Sequence, residues 1–266
     1  AGGFGVIACG AMTPELLALE IAETQAKTKK PFGVNLITMH PELEALINVC
    51  AEASVTHVVL AGGVPSSGSI VKLKKTGIKI ICFAPALALA KRMIKNGADA
   101  LIIEGTEAGG HIGPVATSVL AQEILPHITD IPVFVAGGIS RGEAIVSYLE
   151  MGASGCQLGT RFVCANESIA HPNFKESFIR ANSRDAVPTV QIDPRFPIIP
   201  VRALVNEGTK LFSQAQREAA VRVEKGEVEL KEAQLEIEHF WAGALKRAVI
   251  EGDVEYGSLM AGQSVG

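Results

Sequence analysis

Ala100-Leu101-Ile102-Ile103-Glu104-Gly105-Thr106-Glu107-Ala108-Gly109-Gly110-His111-Ile112-Gly113 joins an apolar run to a glycine-rich, histidine-bearing turn. Its apolar start reads as a buried strand. The glycines that follow let backbone approach a ligand closely, and the histidine brings a ring that titrates near neutrality. A strand ending this way matches the carboxyl-end rim of a (β/α) barrel, where such enzymes keep their active sites. Two echoes follow, Val133-Phe134-Val135-Ala136-Gly137-Gly138 and Gly155-Cys156-Gln157-Leu158-Gly159-Thr160. A weak repeat of helix, Gly-Ala, strand and Gly runs from Gly97-Ala98 to Gly105 and again from Gly152-Ala153 to Gly159. That repetition favours one closed barrel over separate domains.

Four earlier apolar runs, Gly5 to Cys9, Phe32 to Ile37, His57 to Ala61 and Lys79 to Ala84, bring the strands to seven, with the later three read as Ala100 to Glu104, Pro132 to Ala136 and Gly155 to Gly159. Helical patterns fill the gaps. Thr13-Pro14-Glu15 offers an N-cap, a proline at the first helical position and an early acid, and Leu17 and Ile21 then share a face. Pro85 opens a helix over Ala86 to Asn96 that stops at Gly97. The expected fold class is therefore α/β, a (β/α)8 TIM barrel. Seven runs leave one strand short, and it is expected before Ala1, where the chain opens abruptly.

The pattern changes after Thr160. From about Ala165 to Val254 the sequence reads as charged helices with a proline-rich hinge at Pro188, Pro194, Pro197 and Pro200 and no convincing strand. Arg217 to Leu235 is rich in Glu, Lys and Ala, the mark of a solvated helix. We expect residues 1–164 to form the barrel, 165–254 a helical substrate-binding cap, and 255–266 a segment returning to the barrel mouth.

Composition narrows the class. The chain has 266 residues, 48% hydrophobic and 20% charged, with a net charge of −4 and a pI near 5.9. No basic run extends beyond Lys27 to Lys30, so neither nucleic acid nor a membrane is expected as partner. Cys9, Cys50, Cys82, Cys156 and Cys164 form no C-x-x-C pair and read as small hydrophobes in a reducing cytoplasm. No H-x-x-x-H, H-E-x-x-H or acidic cluster suggests a metal, and no G-x-S-x-G elbow suggests a hydrolase.

In a barrel, phosphate tends to bind in the loops after the last two strands, which here are Gly137-Gly138 and Gly159-Thr160. Taken singly, each glycine pair could merely turn the chain. Asn35 lies inside an apolar strand; its amide needs either a neighbouring backbone partner or the imide edge of a bound heterocycle. His40, His57, His127, His171 and His239 suit surface or N-cap roles. His111, flanked by Gly109, Gly110 and Gly113, has little local packing to serve, so a proton donor or acceptor is its better reading.

These residues carry a resemblance. Glu107-Ala108-Gly109-Gly110-His111-Ile112-Gly113, Ala136-Gly137-Gly138-Ile139, Gln157-Leu158-Gly159-Thr160-Arg161-Phe162 and Met260-Ala261-Gly262-Gln263 resemble the FMN-dependent family of nitronate monooxygenases and enoyl-acyl carrier protein reductase II. Pro31-Phe32-Gly33-Val34-Asn35, Leu89-Ala90-Lys91-Arg92-Met93 and His171-Pro172-Asn173-Phe174-Lys175-Glu176 are closer to the reductase branch. The resemblance implies FMN at the barrel mouth. Asn35 would meet the ring edge, Gly109 and Gly110 would let the flavin approach, and Gly137, Gly138, Gly159 and Thr160 would hold the phosphate. Gln157, Met260 and Ala261 would line the flavin, and His111 would be the active-site histidine. The implied reaction passes hydride from NADH or NADPH to a trans-2-enoyl thioester, free or on acyl carrier protein, in fatty acid biosynthesis; room remains for a monovalent cation, and a cytoplasmic homodimer is expected. The alternatives are a nitronate monooxygenase acting on alkyl nitronates with O2 and, more distantly, a non-flavin phosphate-binding barrel enzyme.

Overall fold

The computed structural model describes residues 2–10, 12–198, 200–241 and 243–266, with only the backbone described at 238. Ala1, where the chain opens, lies outside them. In chain order the strands are β1 (Val6–Ala8), β2 (Gly33–Ile37), β3 (His57–Ala61), β4 (Lys79–Phe83), β5 (Ala100–Glu104), β6 (Gly110–His111), β7 (Val133–Ala136), β8 (Gly155–Gln157), β9 (Ala186–Pro188) and β10 (Val201–Leu204).

Seven of these make one sheet in the order β1-β2-β3-β4-β5-β7-β8. Each strand lies beside its successor, and the pairs from β1 to β5 are parallel. The hydrogen bonds Leu101 N to Pro132 O and Gly105 N to Ala136 O advance together, so β5 and β7 are parallel as well. A parallel sheet in sequential order with helices in the connections is the (β/α) barrel arrangement expected from the sequence, with the same seven runs. β6, β10 and β9 form a separate antiparallel sheet.

The chain divides into two compact units. One comprises Ala1–Ile103, Leu120–Val135 and Leu149–Gly155; the other comprises Glu104–Val119, Ala136–Tyr148 and Cys156–Gly266. The first is built on hydrophobic strands without polar alternation, as strands covered on both faces must be. Val34, Leu36, Val58, Leu60, Ile80, Cys82 and Leu101 are all at most 1% exposed. Its helices start and stop where the sequence signals them. Thr13 Oγ1 accepts from Leu16 N with Pro14 at the first helical position, and Leu17 and Ile21 are buried on one face. Ser66 Oγ accepts from Ser69 N to open Ser67–Lys75. Leu87–Asn96 ends at Gly97 in the left-handed region, φ 106°. Cys9, Cys50 and Cys82 are buried, and burial pushes their thiols up to about 11, 12 and 11, which suits small hydrophobes rather than nucleophiles.

The second unit corrects the sequence reading in two places. Residues 165–254 contain strands β9 and β10, which three-to-four-residue length and the neighbouring prolines conceal from a pattern search. The expected solvated helix over Arg217 to Leu235 is two helices, Glu207–Glu224 and Leu230–His239, broken near Gly226 with φ 70°. Their inner faces bury Phe212, Ala219, Ala233 and Ile237 around Phe196. Gln216, fully buried, donates to Val190 O and accepts from Ile192 N, tying the proline-rich segment to the first of these helices.

His171 takes the N-cap role, its Nδ1 accepting from Asn173 N at 3.1 Å to open Pro172–Arg180. Gly252 sits against that ring with φ 75°, so that a Cβ there would overlap the imidazole. Gly252→Ala is therefore expected to lower the melting temperature, by strain of about 1–3 kcal/mol from the left-handed backbone plus displacement of the ring. Thermal unfolding measures it; an unchanged midpoint would refute this packing.

Candidate functional site

The proposed active-site segments of the second unit converge on the loop from Glu104 to Gly113. Its turn is stitched by Gly105 N to Ala136 O, Ala108 N to Gly105 O and Thr106 N to Val115 O. A network then centres on the Glu107 carboxylate, which accepts from Thr117 N at 3.0 Å, Thr117 Oγ1 at 2.9 Å and Thr106 Oγ1 at 3.2 Å. Burial alone would raise this carboxyl, but these donors outweigh burial and hold it below the usual carboxylate range.

The carboxy-terminal segment packs directly on this loop. Gln263 N donates to Glu107 O at 2.9 Å, and Gly262 N to Thr160 Oγ1 at 2.9 Å. A Cβ on Gly109 would lie 2.5 Å from Gly262 N, and one on Gly262 would lie 2.8 Å from Glu107 O. Only glycine allows these two backbones to cross so closely. Gly110, with φ 80°, faces Met260 Sδ, and Ala261 is fully buried. Met260 also bridges to Ala203.

Gly137 and Gly138 follow β7 with φ 100° and 70°. Cβ atoms there would crowd Thr117 Oγ1 and the Glu107 side chain, both at 2.9 Å. Gly138 is exposed, and so is Gly159, which has open space on its Cβ side and follows the neighbouring strand β8. Among the described residues, the backbone N–H groups of Gly138, Gly159 and Thr160 donate to no other protein atom. N–H groups without a protein acceptor on two adjacent loops suit an anion. Gln157 is exposed at the end of β8.

His111 is exposed on β6, which pairs with β10 in the register Val201 to His111 and Arg202 to Gly110, and Ile112 N donates to Pro200 O. The structure therefore brings Gly109, Gly110, His111, Gly137, Gly138, Thr160, Met260 and Ala261 into one connected network. Asn35 belongs to the other unit. It is half-buried at the centre of β2, between Ala8 and Val59, and its backbone carbonyl accepts from the Cys9 thiol.

Three residues were missed by sequence reading. Thr117 caps Glu107, a link ten residues apart that no motif announces. Arg202 is a lone charge in the short apolar run of β10, and that misfit was the available signal. Glu104 is the third: burial pushes its carboxyl up to about 7, and it ends β5 where an apolar run turns acidic. A carboxyl whose folded pKa lies above its unfolded value weakens the fold as pH rises from about 4.5 to about 7. Glu104→Gln, which stays neutral, is thus expected to raise the melting temperature at pH 8 and leave it near the parent value at pH 4. Equal midpoints at pH 8 would contradict this ionisation.

The nitronate monooxygenase family model matches residues 1–266. Among solved structures, FabK of Thermotoga maritima superposes with a TM-score of 0.85 at 39% identity, covering 99% of this chain and 78% of that one. Nitroalkane oxidase of Streptomyces ansochromogenes superposes with a TM-score of 0.78 at 27% identity, covering 99% and 83%. A hydroxy-methyl-oxo-octahydro-indene-carboxyl-CoA dehydrogenase of Rhodococcus jostii is 36% identical over 193 residues, 73% of this chain and 54% of the relative. The chain thus spans about half the length of that curated relative.

Proposed function

Because the chain belongs to the nitronate monooxygenase family, we propose that it is an FMN-dependent oxidoreductase that reduces trans-2-enoyl thioesters with NADH or NADPH. One observation carries the reading: the exposed His111 lies on the same hydrogen-bonded network as the glycine loops at 137–138 and 159–160, joined through Glu107, Thr117 and Gly262. A proton-handling ring on the same network as an anion cradle suits such a reaction.

The residues present fit the cofactor. The N–H groups of Gly138, Gly159 and Thr160 would hold the FMN phosphate, while Gln157, Met260 and Ala261 would flank the flavin. When bound, FMN supplies the hydride relay between nicotinamide and the thioester's double bond. His111 then delivers a proton to the carbon next to the thioester carbonyl. Glu107, held ionised by Thr117 and Thr106, fixes the loop that carries this histidine. The identity to FabK, higher than that to nitroalkane oxidase, and the reductase-like segments at 31–35, 89–93 and 171–176 support a thioester substrate.

A second reading, oxidation of alkyl nitronates with O2, is favoured by the family model and by the nitroalkane oxidase superposition. Steady-state assays of the full chain separate the two. The reductase reading expects anaerobic NAD(P)H oxidation that depends on a trans-2-enoyl thioester. Oxygen consumption with an alkyl nitronate and no response to thioester would establish the second reading instead.

A further inference from the structure

Arg202 is only 6% exposed, yet no carboxylate lies within ion-pair distance of it among the described residues. Its guanidinium donates instead to two backbone carbonyls, from Nε to Thr106 O at 2.7 Å and from Nη1 to Ala186 O at 2.5 Å. Burial lowers its pKa; the nearby Glu107 carboxylate opposes that shift, but its oxygens are already occupied by Thr106 and Thr117. Neutral carbonyls offset the desolvation of a buried cation only in part, so an apolar side chain would cost the fold less at this position.

The backbone of Arg202 is engaged as fully as its side chain. It pairs with Gly110 on β6 and with Pro188 on β9, and its carbonyl accepts from Ala261 N at 3.3 Å. One residue thus touches the His111 loop at Thr106 and Gly110, the carboxy-terminal segment at Ala261, and β9 at Ala186. The planar fork of arginine can reach two carbonyls in different directions, which a lysine ammonium on a flexible stem cannot do with the same definition.

We propose that Arg202 is the positioning residue for His111, its guanidinium locking the loop ahead of the histidine to β9 while its backbone locks the residue beside the histidine to β10. The proposal rests on the reading of His111 as the proton-handling group. The ring itself is exposed and hinges on a two-residue strand, so its aim depends on this anchoring and not on local packing. Misplacement of a catalytic group by about 1 Å can cost a factor of about 10² in rate.

The test uses Arg202→Ala and Arg202→Lys in the full chain, and reads amide hydrogen exchange, bound flavin, kcat and KM. In Arg202→Ala, exchange over 106–112 is expected to accelerate while the first unit stays at the parent rate. Flavin is expected to stay bound, with kcat down by about 10² and KM little changed. A few millimolar guanidinium ion should restore part of kcat where equal sodium chloride does not, and Arg202→Lys should restore little. Parent-like exchange over 106–112, or full activity of Arg202→Lys, overturns the proposal. So does a parallel loss of flavin and folding in both variants, which would make the residue merely structural. If the parent itself ignores enoyl thioesters, the functional reading fails, and the exchange over 106–112 still decides the anchoring by itself.

Discussion

His111→Ala is expected to remain yellow and to be bleached by NAD(P)H as fast as the parent, while its recovery of colour on mixing with enoyl thioester slows by about 10² to 10⁴, the usual worth of general acid help. The separation follows from where the histidine sits. Its ring is exposed on β6, while the N–H groups suited to a phosphate lie on other loops, at Gly138, Gly159 and Thr160. Removing the ring therefore leaves the anion cradle whole. Stopped-flow absorbance under nitrogen resolves the two half-reactions. Loss of flavin from the variant would make the histidine structural, and parent-like reoxidation would remove it from catalysis.

Gly138→Asp is expected to weaken flavin retention by at least about tenfold, equivalent to 1.4 kcal/mol. Two effects add. The backbone there has φ 70°, and a Cβ would fall 2.9 Å from the Glu107 side chain, so the loop must shift. The new carboxylate would also oppose both Glu107 and the phosphate. Gly138→Ala carries the steric part alone and should retain more flavin than Gly138→Asp. Equal retention by parent and Gly138→Asp after dialysis would place the phosphate elsewhere.

The fold was legible where the chain obeys short-range rules. Strands β2 to β5 and β7 are largely buried apolar runs rich in Val, Ile and Leu, and the caps at Thr13 and Gly97 act through neighbours within four residues. The loop at 105–113 was legible for a related reason: glycines at 109 and 110 have no local purpose, so a non-local one was implied. Its partner, Gly262, became visible only in three dimensions. β9 and β10 were hidden because pairing with β6 and with each other, rather than hydrophobic alternation, is what makes them strands. The helices after Glu207 read as solvated because their charged faces outnumber the thin apolar stripe of Phe212, Ala219, Ala233 and Ile237. Arg202 and Thr117 act across 96 and 10 residues, respectively, separations that no local pattern encodes.

Whether this chain holds FMN and uses it to move hydride onto an enoyl thioester, as proposed, is decided by an anaerobic absorbance titration of the purified full chain. The expected result is an oxidised flavin spectrum, bleached by stoichiometric NADH or NADPH and restored by one equivalent of trans-2-enoyl thioester without oxygen. A colourless protein that acquires no flavin spectrum on addition of FMN, or a bleached one that only oxygen restores, would contradict it.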